Sequence, residues 1–152
     1  MRLRAAAFAI LAVTSCRMVI AQDLETPRPD KQEVCDRPLV TTLAVAPVFP
    51  KLAWVAILHG DLAVEVTVDD SGVVNSAKIL SSTRPKFGFD EPSLAAARRW
   101  RFDPQEGCST RRAELLFRFR EPVPEGEPAG VEFRPPFQID VVVTGPKVDF
   151  EH

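Results

Sequence analysis

Alternation of apolar and polar positions is clearest in DLAVEVTVDD, where Leu62, Val64, Val66 and Val68 alternate with Ala63, Glu65, Thr67 and Asp69. A period of two sends successive side chains to opposite faces, which predicts a half-buried strand. The polar stretch DDSG, Asp69 to Gly72, has turn chemistry. VVNSAKILSS then resumes an extended run, with Val74, Ser76, Lys78 and Leu80 opposite Ala77 and Ile79. Two strands joined by so short a turn form an antiparallel hairpin. A third alternating run is RRAELLFRFRE, in which Ala113, Leu115, Phe117 and Phe119 alternate with Glu114, Leu116, Arg118 and Arg120.

Two segments read as helices. In VFPKLAWVAILHG, Pro50 suits a first turn and Gly60 a terminus, and Leu52, Ala53, Ala56 and Ile57 would share one face. After the loop STRPKFGF, Asp90 is a candidate N-cap with Glu91 in the positive first turn. The following SLAAARR is helical in composition and must end near Arg99 or Trp100, because Pro104 bars its predecessor from the α region. The order helix, strand, strand, helix, strand predicts an α+β fold: a three-stranded antiparallel sheet with two helices on one face. Beyond it, Gly126 to Gly130 reads as linker, and VEFRPPFQIDVVVTGPKVDF is apolar enough for one or two more C-terminal strands.

Composition adds boundaries. The 152 residues suffice for one compact domain plus extensions. With 45% hydrophobic and 26% charged residues the chain is globular in type, and a net charge of −2 predicts no general attraction to nucleic acid or acidic membranes. The 14 prolines crowd the flanks of the periodic region. Domains are therefore expected at 1–21 (signal peptide), 22–46 (flexible leader, extended from Cys35 onward), 47–121 (the periodic module) and 122–152 (proline-rich linker and strand extension).

The N-terminus reads as an export signal: Arg2 and Arg4 precede the apolar run Ala5 to Val13, and Ala21 offers a small residue for cleavage. VTSC, ending at Cys16, offers a competing site, since it resembles a bacterial lipobox. The membrane would then be reached only through a lipid on Cys16. Both routes predict a periplasmic location, soluble or lipid-anchored. In that oxidising compartment Cys35 and Cys108 are expected to pair, the alternative being two unpaired thiols. The bridge would close a loop of 73 residues, worth roughly 4 kcal/mol in the chain-entropy picture.

The segment Pro47 to Arg120 resembles the C-terminal domain of TonB-type energy transducers. The resemblance rests on Gly60, Leu62, Val64, Val66 and Val68 as a G-x-(V/L)-x-V-x-V strand, and on Asp69, Gly72 and Val74 as D-x-x-G-x-V. The paired serines Ser81 and Ser82, the alanine-rich helix, and Trp100, Arg101, Phe102 and Pro104 as W-(R/K)-F-x-P complete it. Trp100, Phe102 and Pro104 are expected to form a structural corner whose rings bury against the hairpin, with a contact surface as the alternative role.

What the resemblance implies is a non-enzymatic binding module. In the family this domain pairs in the periplasm with an extended peptide, the TonB box, of an outer-membrane transporter. The physical basis is strand addition to an open sheet edge. Glu114, Leu115, Leu116, Phe117, Arg118, Phe119 and Arg120 form the expected partner-binding strand. The alternative is a structural or assembly protein of the cell envelope whose own C-terminal strands cap that edge. An uncleaved anchor that engages a motor and a long proline-rich spacer, both present in complete transducers, are not recognisable here, so energy transduction is not expected. The oligomeric state is not readable from the sequence.

Enzymatic chemistry is not expected. His59 beside Asp61 has no candidate serine motif, no Gly-rich phosphate loop is present, and Asp69 and Asp70 fit a turn better than a metal site. With no CxxC and both histidines far from the cysteines, no metal or cofactor is expected.

Overall fold

The computed structural model describes Cys35 and residues 37–146. The expected signal peptide, the Ala21 cleavage site, the candidate lipidation site at Cys16 and the first part of the leader lie outside the described residues. Strands β1 (Thr41–Leu43), β2 (Gly60–Val68), β3 (Val74–Ser82), β4 (Arg101–Phe102), β5 (Arg111–Phe119), β6 (Gly130–Arg134) and β7 (Gln138–Val142) are joined by helices α1 (Lys51–Val55) and α2 (Asp90–Arg99). The main sheet has the order β3-β2-β5-β7-β6, and β1 pairs separately with β4. The fold is α+β, with the expected three strands side by side and two further strands from the C-terminal extension added beyond β5.

The ladders differ in kind. β2 pairs antiparallel with β5 along its whole length, from Gly60 opposite Phe119 to Val68 opposite Arg111. Its pairing with β3 is also antiparallel but shifts register twice. β5 and β7 run parallel over only Leu116 to Phe119, and β6 folds back antiparallel on β7. The period of two holds in β2, β5 and β7, where Leu62, Val64, Val66, Leu115, Phe117, Phe119, Ile139 and Val141 point to one face and are buried. In β3 the register shifts break it: Val74 pairs with core-facing Val68 as Ala77 and Ile79 do with Val66 and Val64, and so is buried rather than grouped with the exposed Ser76, Lys78 and Leu80. Ala53 of α1 and Ala96 and Ala97 of α2 close over that face, their small side chains letting the helix backbones approach.

Trp100 leaves the helix with ψ of 152°, and Trp100 and Phe102 are buried while Pro104 is exposed. The indole packs edge-on against Phe117 and Phe133, and its Nε1 donates to the Val45 carbonyl at 2.9 Å. Gly72 takes a φ of 83°, and any Cβ there would collide with the Phe102 carbonyl, which explains the glycine of the turn. Asp69 Oδ1 accepts hydrogen bonds from the Ser71 and Val73 amides at 3.0 and 2.9 Å, fixing the turn.

Three local expectations are corrected. The first helix is shorter than 48–60, and of its expected buried face only Ala53 is buried, while Leu52, Ala56 and Ile57 are exposed. It stops because Ile57 takes a φ of 51°. The Ile57 and Leu58 amides bond back to the Trp54 and Ala53 carbonyls at 3.2 and 2.9 Å, a Schellman termination with isoleucine where glycine is usual. Asp90 is not an N-cap: it lies inside the first turn with Glu91, where both carboxylates still meet the positive helix end. Finally, residues 37–46 are docked rather than a loose leader, since β1 pairs with β4 and Ala44, Val45 and Ala46 pack on the core. The Cys35–Cys108 disulfide, with Cα atoms 5.8 Å apart, ties the start of this stretch to the loop before β5.

Candidate functional site

The expected partner-binding strand is β5, and its alternation is as read: Leu115, Phe117 and Phe119 are buried, Leu116 and Arg118 are half-buried, and Glu114 and Arg120 are exposed. Its neighbours decide what it can do. Odd-numbered residues of β5 turn their backbone groups to β2, and even-numbered ones turn away, as the Leu116 amide bonded to the Phe137 carbonyl at 2.9 Å shows. Beyond Leu116 that second side belongs to β7, and the parallel pairing runs on through the Arg120 amide on the Val141 carbonyl and the Val123 amide on the Val143 carbonyl, both at 2.9 Å. Of the two arrangements the sequence left open, the structure has the covered edge over Leu116 to Phe119. Only Arg111 to Leu115 extends past β7 on that side.

A polar clamp holds β7 in place. Asp140 is buried at 3% exposure on the face opposite the core. Its Oδ2 accepts from Nη2 of Arg120, just past the end of β5, at 3.1 Å and lies 3.4 Å from Arg134 Nε of β6, and its Oδ1 accepts from Gln138 Nε2 at 2.8 Å. Burial works to raise the Asp140 pKa, but the hydrogen bonds from Gln138 and Arg120 and the charges of Arg120 and Arg134 outweigh it. The carboxyl is held below its ordinary value. Arg120 and Arg134 are each about half exposed, so the clamp is a surface cluster closing over one buried carboxylate. Sequence reading named Arg120 but missed Asp140 and Arg134. The available signal was an acidic residue at a strand-alternation position inside the apolar run FQIDVVV.

Elsewhere the chemistry is sparse. His59 and Asp61 are exposed, and no group of His, Cys, Asp and Glu arranged to hold a metal ion occurs among the described residues. No helix among them is long and apolar enough to cross a membrane.

Residues 45–120, half of the chain, match the family model described as Gram-negative bacterial TonB protein C-terminal. The chain belongs to this family. It is also similar to a solved structure, the solution NMR structure of the Pseudomonas aeruginosa TonB CTD. The identity is 26%, the alignment covers 56% of this chain and 88% of that one, and the TM-score is 0.46. No curated protein matches. The matched segment ends at Arg120, so β6, β7 and the Asp140 clamp lie outside the part that defines the TonB C-terminal family.

Proposed function

We propose that this chain is a non-enzymatic periplasmic binding module that takes up an extended strand of another protein by β-augmentation on β5. The strand class suggested by family membership is the TonB box of an outer-membrane transporter. The observation that carries the reading is β7 itself: the outer side of β5 already accepts an added strand, in parallel and in register, over Leu116 to Phe119. A partner strand would take over those main-chain bonds once β7 is released, with Arg118 and Arg120 beside it on the polar face. The Cys35–Cys108 bridge suits an oxidising compartment.

A second reading is favoured by a specific observation: Ile139 and Val141 of β7 are buried at 1% and 4% exposure, as deep as the central strands. In that reading β7 stays, the sheet edge is capped, and the chain serves a structural role in the envelope.

One experiment separates the two. Leu116 and Gln138 are register neighbours on β5 and β7. A protein carrying Leu116→Cys and Gln138→Cys, cross-linked by oxidation, is compared with the Leu116→Cys single variant, the native Cys35–Cys108 bond being left intact in both. Binding of a labelled TonB-box peptide is followed by fluorescence anisotropy. Uptake by the single variant and loss on cross-linking is the result expected for docking on β5. Equal binding by both places the peptide elsewhere, and binding by neither leaves the capping reading.

A further inference from the structure

We infer that β6 is a self-complementary edge, through which two copies of this chain pair antiparallel into one continuous sheet. The main sheet has two outer strands, β3 and β6. β3 is blunted in the usual way: its pairing with β2 carries two register shifts, and Lys78 stands on it. β6 is charged too, but its two charges, Glu132 and Arg134, are of opposite sign and share one face. Its five residues pair with β7 without a shift, and no proline falls between Gly130 and Arg134.

Backbone alternation shows what β6 offers. The Phe137 and Val141 carbonyls face β5, so Gln138, Asp140 and Val142 face β6. Their register partners, Arg134, Glu132 and Gly130, therefore use their backbone groups internally, and those of Val131 and Phe133 point outward. The side chains of Val131 and Phe133 lie on the core face beside Val141 and Ile139. They remain 59% and 39% exposed because the core ends there, although Phe133 already packs edge-on against Trp100 with ring centroids 6.0 Å apart. Another strand alongside β6 would extend this apolar face and pair the outward backbone of Phe133.

Charge selects a second copy and its register. Glu132 and Arg134 share the opposite face and are bridged at 2.8 Å. A two-fold axis through Glu132 would set Glu132 against Glu132, which is unfavourable. An axis through Val131 would set Glu132 against Gly130, with no gain. An axis through Phe133 sets Glu132 opposite Arg134 of the second copy twice, places the two Phe133 rings side by side, and lets the Phe133 backbones exchange both hydrogen bonds, while Val131 falls opposite Pro135, which has no N–H to donate. The contact is isologous and closes on itself, so it stops at a dimer. An edge of five residues lies at the small end of protein interfaces, so association is weak and reversible, in the micromolar range or above.

The inference does not rest on docking at β5. Sedimentation velocity of the folded chain over a concentration series should show a monomer–dimer equilibrium, and the Phe133 amide should gain protection from hydrogen exchange as dimer forms, while Glu132 is protected throughout. Glu132→Arg, an exposed change that leaves only like charges across the axis, should shift the chain to monomer at every concentration tested. The β5–β7 cross-linked protein should still dimerise, even though that cross-link removes peptide uptake at β5. A chain that stays monomeric overturns the inference. So does a dimer that survives Glu132→Arg, or Phe133 protection that appears only when a foreign peptide is added to monomer.

Discussion

The two sides of β5 are built differently. Toward β2 it makes nine register pairs, antiparallel, with core residues on both strands; toward β7 it makes four, parallel, reinforced by one buried carboxylate. Parallel pairing is slightly weaker per residue, and β7 holds β5 over fewer than half as many positions as β2 does. One side of β5 is the body of the fold. The other is a shorter joint, and docking on β5 requires it to open while the body stays folded. The family match falls on the body, and the joint is what this chain adds.

The largest test of that comparison is Phe117→Ala. Phe117 is fully buried and meets Trp100, at the end of α2, edge-on in the core, so the loss should be about 3–5 kcal/mol, read as a fall in the denaturant midpoint of the whole domain. Because Phe117 anchors the body, exchange of the β2 and β5 amides should accelerate together. If only the Arg118 and Arg120 amides accelerated, the body and the joint would not be separate units.

Asp140→Asn should act on the joint alone. Losing the charge-assisted bond to Arg120 should cost about 1.5–3 kcal/mol of local stability. It should appear as faster exchange of the Leu116, Arg118 and Arg120 amides, with the β2 ladder unchanged. The same group sets a pH dependence. A carboxyl whose folded pKa is depressed contributes fully above its ordinary value, near 4, and loses that contribution as pH falls through the folded value. Acidification below about pH 4 should therefore open β7 in the parent chain but change little at that site in Asp140→Asn.

The smallest effect expected is Ile57→Gly. An isoleucine at φ of 51° is strained, and its side chain is 43% exposed, so little packing is lost. The variant should gain about 0.5–1 kcal/mol in chemical denaturation after the entropy of the new glycine is offset. Since α1 belongs to the body, the β7-side amides should exchange as before.

What the sequence alone determined follows from local periodicity and local chemistry. The faces of β2 and β5, the Asp69 to Gly72 turn, the Trp100 corner and the α+β class were all legible, because each depends on residues within a few positions of one another. The cysteine pair was legible from compartment and count. The termination at Ile57 was not, because isoleucine gives no sign of a left-handed conformation that the onset of β2 imposes. The site was only half legible. A period of two states which face a side chain takes, but every strand carries the same backbone donors and acceptors, so alternation is silent on which strand lies beside which. The tertiary structure alone decided that β7 would cross over to lie parallel to β5, bury Ile139 and Val141, and bring Asp140 to Arg120. The order of strands is fixed by long-range burial and charge pairing, and that order set which edges of the sheet were left open.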